Sequence, residues 1–378
     1  MKILLVDGEP ELGGAQRSLL ELAQALAVRG GVALCAAVPD GRLAAALGAA
    51  GVPVAPLPVL RLHAQWSGRT WREGVALWRA ARHVARRVRD DRPDLVHANG
   101  TAAAVAAVLG CAGRVPVLWH LRDLPVRRWL VRGLTRRVAA VLAISEAVAA
   151  RALALVPPAQ RGKIWLIRNG VDTARFHPGG RAEARQRFQL PTDGPLVGMV
   201  AHLVPWKRHD LFLTAAAAVR RMRPDVQFLI AGRDLCRNHP RLREALEAQA
   251  TAAGLAGALH WVEPGDDLAG LLPALDLLVH PAAQEPFGRV VCEAMSVGIP
   301  VVAARQAGPA ALVPDGEGGV LVPPEDAAAF VAPILSLLAD PAAACSMGAR
   351  GRKHVVAHFD VARVATELLA VYRELLRG

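Results

Sequence analysis

Glu285-Pro286-Phe287-Gly288-Arg289-Val290-Val291-Cys292-Glu293-Ala294-Met295-Ser296-Val297-Gly298-Ile299-Pro300-Val301-Val302 is the most informative stretch of this chain. Its two carboxylates, Glu285 and Glu293, stand eight positions apart, a little over two turns of an α-helix at ~3.6 residues per turn. The spacing predicts a helix from Phe287 onward that carries Glu293, with Glu285 just ahead of its start. Pro286 and Gly288 suit the approach and first turn, where a missing N–H or Cβ costs least. Gly298 and Pro300 end the helix. Val301–Ala304 follows as a buried strand. An acid in a strand-to-helix loop and another on the next helix can reach one ligand in the crevice of an open α/β sheet. The plain structural alternative is one capping and one solvated carboxylate.

Working outward, strands and helices alternate along the whole chain. Ile3–Val6, Val32–Val38, Val52–Leu57, Asp94–His97, Val115–His120, Val138–Ile144 and Ile164–Arg168 read as strands of a first series. Helices are expected at about Ala15–Val28 and Trp71–Val88. A second series runs through Leu196–Val200, Val226–Ala231, Leu259–Val262, Leu277–His280 and Val301–Ala304. Strands separated by helices imply parallel sheets, here twice over. A length of 378 residues exceeds one ordinary core. The expected domains are residues 1–170, residues 171–355, and a C-terminal helix in 356–378 that returns toward the first. The charged, Gly- and Pro-rich residues between roughly 170 and 195 read as the linker.

Further motifs accompany the two acids. Ile167-Arg168-Asn169-Gly170-Val171-Asp172 joins a turn dipeptide that permits positive φ to an acid able to cap a short helix. Val197-Gly198-Met199-Val200-Ala201-His202-Leu203-Val204-Pro205-Trp206-Lys207-Arg208 places cations after a strand. Gly13-Gly14 lies between a strand and a helix, where backbone N–H groups can approach phosphate or sugar. No G-x-G-x-x-G is present, which disfavours a dinucleotide site. His120 ends a strand, as a ligand-facing or merely structural histidine would.

In this order the motifs resemble those of glycosyltransferase family 4, the retaining nucleotide-sugar enzymes of GT-B fold, whose E-x7-E segment matches Glu285 to Glu293. The resemblance is specific mainly between about 164 and 324. It implies two Rossmann-like domains with parallel sheets facing a cleft: an N-terminal acceptor domain and a C-terminal nucleotide-sugar donor domain. It implies transfer of a hexose, with retention, to a glycan or lipid-linked acceptor in cell-envelope or exopolysaccharide synthesis. Glu285 would support positive charge at the anomeric centre, Lys207 would neutralise the leaving diphosphate, and His120 would lie near the reacting sugar. Gly13, Gly14, His202, Arg208, Phe287, Gly288 and Glu293 would bind the donor, Glu293 through the ribose hydroxyls. No cofactor or metal is expected, since the leaving phosphate can take the acceptor proton and no D-x-D pair or His/Cys cluster exists to hold an ion. Two departures stand out: His202 replaces the usual arginine, and Ala307 and Ala311 replace the first glycine and the acid of Gly-Gly-x-x-Glu. A non-catalytic sugar-nucleotide-binding protein and a GT-B epimerase or phosphorylase are the competing readings.

The net charge of +12 is unevenly spread: residues 1–170 hold 24 Lys/Arg against 11 Asp/Glu, and the remainder 21 against 22. Arg72, Arg79, Arg82, Arg86 and Arg89 recur at helical spacing near Trp71 and Trp78. A second cluster joins Arg122, Arg127, Arg128, Arg132, Arg136 and Arg137 to Trp129. Cationic amphipathic segments edged by tryptophan suit an anionic membrane surface; a solvated basic face is the alternative. No nucleic-acid motif accompanies the charge. No stretch of about 20 uncharged apolar residues appears, so the expected location is cytoplasmic, peripheral at the inner face of the membrane. Cys35, Cys111, Cys236, Cys292 and Cys345 lack C-x-x-C spacing and are expected as small core residues.

Overall fold

The computed structural model describes residues 1–60, 69–234 and 239–377; the side chains of residues 69–72 lie outside the description. The chain forms two compact units, one of Met1–Gly170 with Val361–Gly378 and one of Val171–Asp360. Unit 1 contains β1 (Lys2–Val6), β2 (Ala33–Val38), β3 (Val54–Pro56), β4 (Leu95–Asn99), β5 (Val117–Leu121), β6 (Ala140–Ala143) and β7 (Ile164–Leu166). They lie side by side in the order β3-β2-β1-β4-β5-β6-β7, every pair parallel. Unit 2 contains β8 (Leu196–Val200), β9 (Gln227–Ala231), β10 (Leu259–Val262), β11 (Leu277–His280), β12 (Val301–Ala304) and β13 (Val320–Val322). Its parallel order is β10-β9-β8-β11-β12-β13.

Both are doubly wound sheets, in which the direction of strand addition reverses once. The reversal lies between β1 and β4 in unit 1 and between β8 and β11 in unit 2. At such a point the loops beyond the strand ends diverge and leave a crevice for ligands. The strands are apolar runs because helices cover both faces of a parallel sheet. Ile3, Leu5, Leu95, Leu118 and Leu142 form the strand contribution to the core of unit 1. Met199, Phe228, Ile230, Val279 and Val302 do so in unit 2.

The returning helix, Val361–Leu375, buries Val364, Ala365, Leu368, Leu369, Val371 and Tyr372, which join Leu19, Leu22 and Leu26 of the helix Gly14–Arg29 in one core. Its unit begins again at Val361, because the helix Pro341–His358 belongs with the core of unit 2. Gly170 has no positive φ, so the turn geometry expected there is replaced by a close approach. A Cβ at Gly170 would meet Val361 Cα at 2.8 Å. Nor is the segment from 170 to 195 a linker. The helix Arg181–Arg187 sits within unit 2, and Arg185 is buried with its guanidinium bonded to the carbonyls of Ala274, Pro191, Thr192 and Gly194 and to Asp276. Asp172 caps a turn, its Oδ1 accepting from the amides of Ala174 and Arg175, rather than a helix. Cys35, Cys111 and Cys292 are buried, but Cys345 is exposed, and Cys236 lies outside the described residues.

Candidate active site

In unit 2 the strand β11 ends at His280, and the loop beyond it carries Glu285 to the start of the helix Arg289–Val297. Gly288 is the residue before that helix, with φ of 95°, a conformation that strains a residue bearing Cβ. Its amide donates to Glu285 Oε1 at 3.2 Å. The other carboxylate oxygen accepts from Lys207 Nζ. Lys207 arrives from the far side of the switch point, in the single turn Pro205–Lys207 after β8. That turn is fixed by the Trp206 carbonyl, which accepts from the amide of Ala283 at 3.0 Å, and Lys207 Nζ lies 4.3 Å from the centre of the Trp206 ring. The two elements therefore bring Lys207 and Glu285 together across the β8/β11 reversal.

Both side chains are about nine-tenths buried. Burial alone would push the Glu285 carboxyl up. The adjacent Lys207 charge and the nearby His280 outweigh burial and hold it well below the usual carboxylate range. His280 is fully buried, with Nε2 3.3 Å from Glu285 Oε2; the contact is close but too poorly aligned for a hydrogen bond. Burial, more than that carboxylate, decides its charge and keeps its pKa below the ordinary value. His209, at the start of the next helix, is pushed down to about 4 chiefly by burial, with the Lys207 charge adding to it. The site is thus a fixed anion and a fixed cation among neutral imidazoles.

Glu293 is buried on the helix Arg289–Val297, and Arg289, one turn earlier, reaches its Oε1 at 2.7 Å. Arg208 adopts φ of 61°, and its guanidinium is held by Asp210 at 3.1 Å and approached by Glu325 at 3.9 Å. A diphosphate would have to compete with those carboxylates. His202 follows β8 and is exposed. The Phe287 ring is buried edge-on against Phe359, 5.9 Å between centres, so this residue offers a ligand its backbone. That backbone is gripped in turn: the Gly308 amide donates to the Glu285 carbonyl at 2.9 Å, and a Cβ on Gly308 would stand 2.3 Å from the Phe287 carbonyl oxygen.

Unit 1 carries its own polar cluster at the β1/β4 reversal. Asp7 follows β1 and accepts from Gln16 and from Asn99 at the end of β4. Arg122, after β5, donates to Asn99 Oδ1 at 2.6 Å and to Asn169. Burial raises the Asp7 pKa despite these donors. Arg122 is only 4% exposed, so it is removed from the basic surface in which its sequence spacing placed it. Gly13 precedes the helix Gly14–Arg29 with an ordinary φ of −76°, and a Cβ there would stand 3.0 Å from Gln16 Oε1. His120 does not end β5, which runs on to Leu121; it is buried and bonded through Nδ1 to His97. Ser145 caps the helix Glu146–Leu155 through its Oγ.

Sequence reasoning did not single out His280, His209, Asp7, Asn99, His97 or Tyr372. Asp7, Asn99 and His280 each end or follow a strand beside a switch point, which is a usable signal. Tyr372 lies on the last helix and has none.

The residues 180–354 match the model of the "Glycosyl transferases group 1" family, and residues 12–175 that of "Glycosyltransferase Family 4". The chain is 34% identical to the D-inositol 3-phosphate glycosyltransferase of Segniliparus rotundus, over 75% of this chain and 62% of that one. With the lipopolysaccharide core biosynthesis mannosyltransferase LpcC of Rhizobium leguminosarum bv. viciae it shares 30% identity over 81% and 83% respectively. The chain spans between 46% and 62% of the length of three D-inositol 3-phosphate glycosyltransferases that it matches. Its fold is similar to that of Anabaena Alr3699/HepE in complex with UDP and glucose, with a TM-score of 0.84, 24% identity and coverage of 99% of each chain. The sucrose-phosphate synthase of Thermosynechococcus elongatus gives a TM-score of 0.84 at 24% identity over 100% of this chain and 99% of that one. The doubly wound pair of units and these matches identify the chain as a member of the group 1, family 4 glycosyltransferases of GT-B fold.

Proposed function

We propose that this chain transfers a hexose from a nucleotide-diphosphate sugar, with retention at the anomeric carbon, to a glycan or lipid-linked acceptor of the cell envelope or an exopolysaccharide. The observation that carries the reading is the buried Lys207–Glu285 pair at the switch point of unit 2. An ionised carboxylate fixed there can stabilise positive charge developing on a sugar, and a cation beside it can stabilise the departing diphosphate. Lys207 would then exchange part of its hold on Glu285 for the phosphate oxygens. Glu293, oriented by Arg289, would accept from the ribose hydroxyls. The relatives support a nucleotide sugar: HepE is seen with UDP and glucose, and LpcC is named a mannosyltransferase. No cofactor enters this scheme, because the leaving phosphate oxygen takes the proton of the attacking hydroxyl.

The test is a panel of nucleotide sugars screened by thermal shift, since a ligand of the native state raises its apparent stability. The stabilising donor is then offered with candidate acceptors, and the anomeric configuration of the product is read by NMR. Retention in a glycoside product is expected. Epimerised donor, transfer to phosphate, or stabilisation without any turnover would each replace this reading by one of its competitors.

Unit 1 supplies the acceptor side of the proposal. Trp78, Trp129, Val126 and Leu109 are exposed large apolar side chains, and Arg79, Arg82, Arg86, Arg89, Arg128 and Arg136 are exposed or half-buried on the same two helical segments as the tryptophans. The side chains of Trp71 and Arg72 lie outside the described residues. No single helix among the described residues is long and apolar enough to cross a membrane. We infer peripheral docking on the anionic inner face of the cytoplasmic membrane, where a lipid-linked acceptor is presented.

A further inference from the structure

Three buried side chains of unit 1 stand in line. Tyr372, on the helix Val361–Leu375, is the chain's single tyrosine and is fully buried. Its hydroxyl is hydrogen-bonded to Nδ1 of His97 on β4. The other nitrogen of that ring, Nε2, lies 3.0 Å from Nδ1 of His120 on the neighbouring β5. His120 Nε2 is buried and has no hydrogen-bond partner among the described residues.

Each contact in such a line holds one proton, so its sense is fixed from whichever end has no alternative. Among the described residues the Tyr372 hydroxyl has His97 Nδ1 as its hydrogen-bond partner and no second one, and a buried hydroxyl that fails to donate costs ~1–3 kcal/mol. It therefore donates to His97 Nδ1. A neutral imidazole carries one proton, so that of His97 lies on Nε2 and is donated to His120 Nδ1. The His120 proton is then on Nε2. Both rings stay neutral: burial, with the Arg122 charge adding, pushes His97 down to about 3 and His120 well below its ordinary value.

We propose that Tyr372 is a positioning residue whose hydroxyl proton, relayed through His97, makes His120 Nε2 a hydrogen-bond donor to an oxygen of the sugar substrate. The ligand, though not the relay, rests on the sugar-transfer reading above. In this tautomer His120 offers the sugar no basic nitrogen. It holds and polarises an oxygen lone pair and does not take a proton from a hydroxyl.

The experiment is long-range 1H–15N correlation of the imidazole rings in the full, ligand-free chain, assigned with His97→Gln and His120→Gln, and repeated on Tyr372→Phe. His97 and His120 both protonated on Nε2 is the expected result. A His120 protonated on Nδ1 overturns the relay, and this holds from the unmodified protein alone should Tyr372→Phe fail to fold. In folded Tyr372→Phe the His120 signal should move toward the Nδ1–H form, and kcat/KM for transfer should fall roughly tenfold, the worth of one such hydrogen bond. An unchanged tautomer in that variant overturns the proposal. The expected tautomers without transfer from any nucleotide sugar would overturn the sugar as the ligand of His120, and the functional reading with it.

Discussion

Lys207 and Glu285 neutralise each other in a place where neither would be tolerated alone. Removing one partner of a buried pair costs ~3–5 kcal/mol, so Lys207→Gln should destabilise unit 2 at neutral pH. The pH dependence has a definite sign. In the wild type the Glu285 carboxyl is depressed below its unfolded value; its contribution is fully present above the ordinary carboxylate range and is lost progressively as pH falls from that range toward the depressed folded value. In the Lys207→Gln variant the largest counterweight to burial is gone, the carboxyl takes a proton readily, and the variant gains relative to wild type on acidification. Urea midpoints measured from neutrality to about pH 3 should show the gap between the two proteins narrowing; a constant gap would mean that Lys207 does not set this ionisation. Turnover in the same variant should fall by about 2–4 kcal/mol of transition-state stabilisation. The two acids divide differently. Glu285→Ala should abolish most transfer while a sugar-free nucleoside diphosphate still binds, and Glu293→Ala should weaken that diphosphate itself by leaving ribose hydroxyls unpaired. Calorimetry decides, and equal losses of affinity would end the division.

At the scale of elements, the loop 285–288 ahead of the helix Arg289–Val297 meets the short helix Ala307–Leu312 backbone to backbone, the Gly308 amide donating to the Glu285 carbonyl. Ala307 holds φ of 48°, where an L-residue is strained by ~1–2 kcal/mol. Ala307→Gly should recover about half a kcal/mol after the entropy of the freer unfolded chain is deducted. Gly308→Ala should do the reverse, since its Cβ would collide with the Phe287 carbonyl. It should lose ~1–3 kcal/mol and weaken donor binding, because the displaced backbone carries Glu285. Thermal melts and donor titrations of the pair test this, and an innocuous Gly308→Ala would show that the approach is not needed. The same elements show what a sequence displays. The helix after Glu285 was legible from Gly288 and Gly298, and the strands from their apolar runs. The helix Arg181–Arg187 was not, because nothing in a charged, Gly- and Pro-rich segment announces that the buried Arg185 finds five acceptors. The three-residue strand β13 is likewise too short for its own periodicity. Lys207 and Glu285 stand out in the sequence as separate candidates; their direct pairing depends on a strand order that no local pattern encodes.

For the whole molecule the asymmetry of charge is the leading feature, since all of its excess lies in residues 1–170. Each basic residue near an anionic bilayer contributes about 1 kcal/mol, so three to five engaged arginines suffice for reversible attachment. Co-sedimentation with vesicles of graded anionic lipid content should show binding that rises with lipid charge and is lost with salt. Changing Arg127, Arg128, Arg132 and Arg136 to Gln should release the protein. Binding indifferent to both would leave a solvated basic face and a soluble acceptor. A different property follows from the helix Val361–Leu375, which belongs to the core of unit 1 although all of unit 2 precedes it in the chain. During synthesis the first unit emerges first yet waits, with the apolar flank of its first helix bare, until Val171–Asp360 has been made. Tyr372 follows all of unit 2, so His120 receives its hydrogen-bonded neighbour's partner only after the strands of both units have been translated. The ribosome thus delivers a second unit that can close on itself before the first is able to, and any protection of the nascent chain must cover the earlier half for longer than the later one.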